Sequence, residues 1–323
     1  MGQYILRRLL QFIPVFLGVT LVLFVLTRVI PGDPVKLLAG ERSQDPVVYE
    51  AITKAYGLDK PILVQYVNYL GSIVKGDFGQ SIATSREVTT IFKEKYPYTV
   101  KLALAAIFVE IIIGIGAGVI SALRPYSFLD ALVTLSTSVL VSLPVFWLGM
   151  LLQYFFGIWL KRWTGATLYL PISGAHSATF PDWVHLILPA VTLASVSTAY
   201  AARIMRSQLL EVQGQDYVRT AYAKGLSSRA VLWGHSMKNA LIPVVTFVAL
   251  DLGAMLSGAI LTETVFNWPG IGYTIFSAIG KRDWPVVIGS TIIVTLVFMV
   301  INLVVDIGYA FLDPRIRYDE SKA

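Results

Sequence analysis

Six long apolar stretches, Leu9–Thr27, Leu102–Leu123, Leu132–Leu160, Leu186–Ala202, Leu241–Leu261 and Val286–Leu312, set the rhythm of this chain. A helix needs about 20 mostly apolar residues to cross the hydrocarbon core of a bilayer, so each stretch predicts one membrane span. The third is overlong, and Pro144 inside it predicts a kink or a tilted helix. Between the first and second spans, Asp45–Tyr56 and Pro61–Val74 carry apolar residues three and four apart, the spacing of amphipathic helices. Pro31-Gly-Asp-Pro34 should end the first span. The fold expected is therefore an all-α membrane protein of six spans, with a small helical segment displayed outside after the first.

Orientation comes from where the polar residues fall. The connection 203–238 holds Arg203, Arg206, Arg219, Lys224, Arg229 and Lys238 against Glu211 and Asp216. Arg7 and Arg8 precede the first span, Arg124 lies in the short 124–131 turn, and Arg315, Arg317 and Lys322 lie in the tail. With six spans all of these fall on one side, which the positive-inside rule makes the cytoplasm, and both termini with it. The segment 31–101 and the loops 161–185 and 264–285 are then external, the two loops turn-rich and partly re-entrant.

Composition agrees. Hydrophobic residues make up 55% of the chain and charged residues 14%, with mean hydropathy +0.67, whereas soluble domains average about a quarter charged. The net charge of +6 does not point to nucleic acid, because the basic residues sit at the ends of apolar segments. With no cysteine, disulfides, Fe–S clusters and thiolate metal sites are excluded. The first apolar run is too long for a signal-peptide core and no small-residue cleavage site comes after it, so it reads as an uncleaved span. Leu at position 6 rules out a myristoylation signal at Gly2.

The polar insert between the fourth and fifth spans is the most informative stretch. Tyr217–Lys224 favours a helix, Gly225 can take the left-handed cap, and Ser227–Lys238 restarts a helix. That predicts two short helices with a sharp corner. The small Ala221 and Ala223 would let another protein surface approach, and Arg219, Lys224 and Arg229 could pair with an acidic rim. The same spacing also fits an amphipathic hairpin lying on anionic lipid.

The run Tyr217-Val-Arg-Thr-Ala-Tyr-Ala-Lys-Gly-Leu226, with Lys238-Asn-Ala-Leu-Ile-Pro243 after it, resembles the cytoplasmic coupling loop of ABC-importer permeases in its peptide/nickel form. Against the general E-A-A-x-x-x-G pattern it departs, with Arg219 and Thr220 standing for the Glu and the first Ala. Ile5-Leu-Arg-Arg8, Ile30-Pro-Gly-Asp-Pro34, Tyr56-Gly-Leu-Asp-Lys-Pro61 and Lys75-Gly-Asp-Phe-Gly-Gln-Ser81 are similar to the N-terminal part of that branch. Glu263-Thr-Val-Phe-Asn-Trp-Pro-Gly-Ile-Gly272 and Leu312-Asp-Pro-Arg-Ile-Arg317 are similar to its last external loop and tail. The resemblance covers nearly the whole chain and is nearest to subunits with a long first external segment. It implies the type I importer fold, a plasma-membrane location, and an organisation into 1–97 (first span and external segment), 98–312 (transmembrane domain with coupling loop 206–240) and a tail, 313–323. It also implies Asp216, Tyr217, Ala221, Lys224, Gly225 and Arg229 as ATPase-coupling residues. The partners implied are a homologous second permease, two cytosolic ATPases, an external solute-binding protein and the bilayer. ATP and Mg would be bound by the ATPases, with no cofactor on this chain.

Glu110, Asp251 and Asp306 fall inside predicted spans. Such groups cost about 2.5–3.5 kcal/mol each at a helix centre and should face the bundle interior, water or a partner. Glu110 and Asp251 are candidates for the translocation path, where they would recognise a peptide amino terminus; interhelical packing is the alternative, favoured for Asp306 with Asn302 one turn away. Glycines 114, 116, 118, 253 and 258 around the first two permit close helix packing. Phe266 and Trp268 are candidates for an external gate or docking site, or for an aromatic interface belt. His176, His185 and His235 lack metal-ligand spacing, and no nucleophile elbow, H-E-x-x-H or phosphate-binding glycine loop occurs. The expectation is a transport subunit, not an enzyme, that moves dipeptides or oligopeptides. The alternatives are an ion-coupled secondary transporter, disfavoured by the lack of interrupted inverted repeats, and a permease for nickel or another small solute. Glutathione-like peptides and haem also fit the resemblance.

Overall fold

The structure, a computed structural model, describes residues 2–29, 35, 44–55 and 59–312. The expected helix break at 30–34, the motif start at 56–58 and the tail at 313–323 lie outside the described residues. The elements are α1 (Gly2–Val29), α2 (Pro46–Ala55), α3 (Ile62–Val74), α4 (Val88–Leu123), α5 (Phe128–Ser142), α6 (Val145–Trp163) and α7 (Asp182–Gln213). They continue with α8 (Asp216–Ala223), α9 (Ser228–Leu256), α10 (Ile260–Val265), α11 (Ile271–Gly280) and α12 (Trp284–Leu312). Among the described residues, five helices are long and apolar enough to cross a membrane, or six if the bent pair α5 and α6 counts as one span.

That pair departs from the sequence expectation in degree. The third stretch is broken, its two legs meeting at 108°. Pro144 donates no N–H and disfavours the helical region for the residue before it, and Leu143 sits at φ −91°, ψ 133°. The fifth span ends at Leu256, short of the expected Leu261, because Gly258 turns the chain at φ 107° before α10 begins. The second and fourth spans are cores of longer helices that start at Val88 and run on to Gln213. The loop 264–285 is mostly helical, holding the end of α10 and all of α11.

The chain forms two compact units, one of residues 1–99 with 269–303, the other of 100–268 with 304–323. In the first, Val88 and Ile91 at the start of α4 bury against Ala278 and Val286, with Phe92, Ile271, Ile275 and Val294 beside them. The buried Asp283 fastens the 77–87 turn: its carboxylate accepts from Ser81 Oγ (2.5 Å) and the amides of Ile82 (3.0 Å) and Ala83 (3.4 Å). The second unit is built around α7, whose apolar window is 67% buried against 28% for the windows of α4 and α9. Gly114 and Gly118 let α4 press on it. A Cβ at Gly118 would lie 2.6 Å from both Ala202 O and Met205 Cβ, and one at Gly114 would lie 2.9 Å from Ala201 Cβ. Gly116, expected in the same role, faces open space.

Candidate functional site

The polar insert folds as the expected hairpin. α7 ends at Gly214, and α8 begins with Asp216 in its first turn, where a carboxylate favours the helix dipole. Val218 and Ala221, three residues apart, form the buried inner face of α8. Gly225 closes the helix at φ 80°. Leu226 N donates to Ala221 O (3.3 Å) and Gly225 N to Tyr222 O (2.9 Å), the paired bonds of a Schellman cap. Ser227 then caps α9, its Oγ accepting from Ala230 N. Across the corner Asn239 Nδ2 donates to Tyr217 Oη (2.8 Å), tying the base of α8 to α9.

The hairpin therefore presents a defined outer surface. Arg219, Lys224 and Arg229 are exposed on it as expected. Arg219 reaches Asp216 at 3.7 Å, a solvated pair of little energetic weight. Ala221 does not offer an outward surface for close approach: it lies on the inner face with Val218, and Ala223 is the small residue left outside. Tyr222, Leu226 and Trp233 (63% exposed) add apolar area among the basic residues. Charge and spacing give these three no role, although aromatics on a hairpin this polar are a signal the sequence does carry.

A second cluster holds the stem. Asp130, at the start of α5, is buried and takes a bidentate pair from Arg206 of α7, Nε to Oδ1 and Nη2 to Oδ2, both 2.7 Å. Tyr126 N (2.8 Å) and Ser121 Oγ also donate to it. One turn earlier Arg203 donates to Thr137 (3.1 Å) and Ser138 (2.9 Å). In the sequence these arginines mark only topology; Ser127 three residues before Asp130, a capping-box spacing, is the signal there for a structured turn.

Glu110 and Asp251 are brought together. Glu110 opens a π-helical turn, Glu110–Ile115, of α4. It is fully buried, and its carboxyl neighbours Asp251 of α9 and Ser197 of α7. Neither Glu110 oxygen nor Asp251 Oδ2 has a hydrogen-bond partner. π-helical turns concentrate at functional positions, and unpartnered buried carboxyls are costly to keep.

The gate candidates are interior. Phe266 (1% exposed) and Trp268 (2%) are among the largest fully buried side chains, so they form neither an interface belt nor an exposed docking surface. The loop between α10 and α11 folds back on itself, with Trp268 N donating to Glu263 O (2.8 Å) and Gly174 N to Phe266 O (2.9 Å). Gln153 Nε2 adds bonds to Ile172 O (2.8 Å) and Val265 O (2.9 Å). His185 is satisfied by Gly174 O and Ser177, and His176 pairs with Asp182. Among the described residues no group of three or more metal-ligating side chains occurs.

Comparison with known proteins converges on one family. A family model described as the inner membrane component of binding-protein-dependent transport systems matches residues 114–318, and the model of its N-terminal region matches 1–103. The chain is 42% identical to the di/tripeptide transport system permease protein DppB of Pseudomonas aeruginosa, covering 98% of this chain and 99% of that protein. It is 40% identical to the dipeptide transport system permease protein DppB of Alkalihalophilus pseudofirmus, over 98% and 100%. The Escherichia coli K12 protein of that name is 38% identical, over 98% and 99%. Among solved structures, an inward-facing MetNI methionine ABC transporter superposes with TM-score 0.53 at 15% identity, covering 70% of this chain and 97% of that one, which supports the shared all-helical fold. This multi-pass membrane chain thus belongs to the binding-protein-dependent transport system inner membrane component family, as a permease subunit of an ABC importer.

Proposed function

We propose that this chain forms part of a translocation path for dipeptides or tripeptides. The observation that carries the reading is near-end-to-end identity of about two residues in five to permeases named for those solutes. The complex would comprise a homologous second permease, two cytosolic ATPases that bind ATP and Mg, and an external solute-binding protein. Both termini and the α8–α9 hairpin would face the cytoplasm, in keeping with the clustered arginines and lysines. Asp216, Tyr217, Lys224, Gly225 and Arg229 would dock and orient that hairpin on an ATPase, with Ala221 packed beneath as its support. Closure of the ATPase pair would move the hairpin and, through the stiff continuation of α7, shift the bundle between inward-facing and outward-facing states. The chain itself would carry no catalytic step.

Glu110 and Asp251 would contribute negative potential to the path, favouring solutes with a protonated amine. The test is uptake of a labelled dipeptide by the complex reconstituted in vesicles. Uptake should require ATP and the binding protein, and Glu110→Gln or Asp251→Asn should change affinity or selectivity among peptides while the complex still assembles. Uptake that persists without ATPases would overturn the importer reading. Loss of assembly with normal transport by the residual complex would make the two acids packing residues.

A further inference from the structure

Helix α3 has the composition of a membrane segment and the length of something else. Ile62–Val74 contains no charged residue, yet 13 residues extend only about 20 Å, too short for a hydrocarbon core of about 30 Å. Charges return on both sides, at Asp59 and Lys60 before it and at Lys75 and Asp77 after it. Both ends therefore meet water, and the apolar stretch lies between.

Its contacts with α1 fix its depth. The apolar window of α1 is Leu6–Leu26, about 30 Å at 1.5 Å per residue, so it fills the core. Tyr66 Oη bonds Thr20 Oγ1 (3.0 Å) and donates to Leu17 O (3.1 Å). Thr20 is six residues inside Leu26 and Leu17 nine, about 9 and 14 Å below the end of the window. Phe24 packs its ring on Tyr66 and Tyr69, at 5.3 and 5.7 Å between centroids. Tyr66 satisfies its hydroxyl on α1, as a polar tip must away from water.

The side of α3 flanking this contact is open. Leu63 is 76% exposed, Val67 65% and Val74 82%, and with the half-buried Leu70 they recur at the four- and three-residue steps of one helical stripe. Of the polar residues of α3, Gln65 is buried, its Nε2 donating to Lys60 O (2.7 Å), while Asn68 is exposed to one side of the stripe. The stripe is continuous in character with α1, whose Ile13, Leu21, Val22 and Val25 are likewise exposed.

We infer that α3 is a membrane-embedded helix, seated on α1 and presenting Leu63, Val67, Leu70 and Val74 to the acyl chains of one leaflet. The first external segment is thereby anchored in lipid, where the sequence predicts only a small helical segment displayed outside. Helices that lie in an interface bury their apolar face about 5–10 Å deep, close to the depth read from Thr20. Which leaflet it occupies is set by the orientation proposed above; the lipid contact does not depend on it.

The chain has no cysteine, so single nitroxide labels are straightforward to place. Labels at Leu63→Cys and Val67→Cys, in the assembled complex in phosphatidylcholine vesicles, are compared with Ile13→Cys in α1 and Thr84→Cys in the external turn. Power saturation with molecular oxygen and with a water-soluble nickel chelate reports the surroundings. Both α3 labels should behave like Ile13, with an oxygen-to-nickel collision ratio several-fold above that of Thr84. A ratio like that of Thr84 would put α3 in water and overturn the inference. Exclusion of both reagents would mean that a protein subunit covers the stripe, and would overturn it equally. Two labelled positions keep the test decisive if one variant fails to assemble.

Discussion

Gly225 offers the sharpest test of whether the α8–α9 corner matters mechanically. Its φ of 80° lies in the left-handed region, and a Cβ built there meets no heavy atom within 4 Å. A side chain at 225 would therefore incur backbone strain and no clash. That strain is about 1–2 kcal/mol for an ordinary L-residue, higher for a β-branched one and lower for asparagine. One to two kcal/mol is a bias of about five- to thirtyfold against the formed corner. The series Gly225→Asn, Gly225→Ala and Gly225→Val should thus displace the Schellman cap progressively, while the apolar spans and membrane level stay unchanged. In the reconstituted complex, ATP hydrolysis stimulated by loaded binding protein should fall in that order, and ATPase co-purification should weaken most for valine. The reasoning is refuted if the valine variant keeps wild-type stimulation, as a hairpin resting on lipid would, or if the asparagine variant is as impaired as valine.

Two further perturbations separate orientation and packing. Single cysteines at Thr84 and Ser228, both exposed, should react with an impermeant maleimide from opposite sides of the membrane; labelling from one side would overturn the proposed orientation. Ser81 is unsuitable because it is buried against Asp283. On α4, Gly118→Ala must displace Ala202 O or Met205 and should destabilise by about 1–3 kcal/mol. Gly116→Ala meets open space and should be neutral or gain up to about 1 kcal/mol from helix propensity. Thermal unfolding of the purified complex distinguishes the two; equal effects would mean that α4 does not press on α7 as described.

Hydropathy makes the spans legible because the bilayer demands a fixed apolar length, and it goes silent where helices leave the bilayer. Residues 88–101 are as helical as the apolar half of α4, yet Lys93, Glu94, Lys95 and Lys101 remove the apolar signal. Pro144 announces a break because it acts through its own missing N–H and its steric demand on Leu143. The 108° between α5 and α6 is not readable, since it depends on what the second leg packs against: Gly149 seats beside Thr192, Val265 and Phe266, residues far away in sequence.

The same division runs through the candidate site. Gly225 is legible because a left-handed corner selects glycine, whereas the inward face of Ala221 depends on the register of α8 against its own neighbours. Phe266 and Trp268 look peripheral beside Pro269 and Gly270, but Asn267 at φ 47°, its Nδ2 on Ser173 Oγ (3.0 Å), folds that loop inward. Arg203 and Arg206 carry the largest consequence. As charges they indicate a side of the membrane; as hydrogen-bond donors they lock α7 to α5 through Thr137, Ser138 and Asp130. A force on the hairpin enters α7 at Gln213 and meets this clamp within about two turns of helix. Under the proposed coupling, α5 and α7 must then move together, and the compliance needed to open and close a path has to lie elsewhere, at breaks such as Leu143–Pro144 and Gly258.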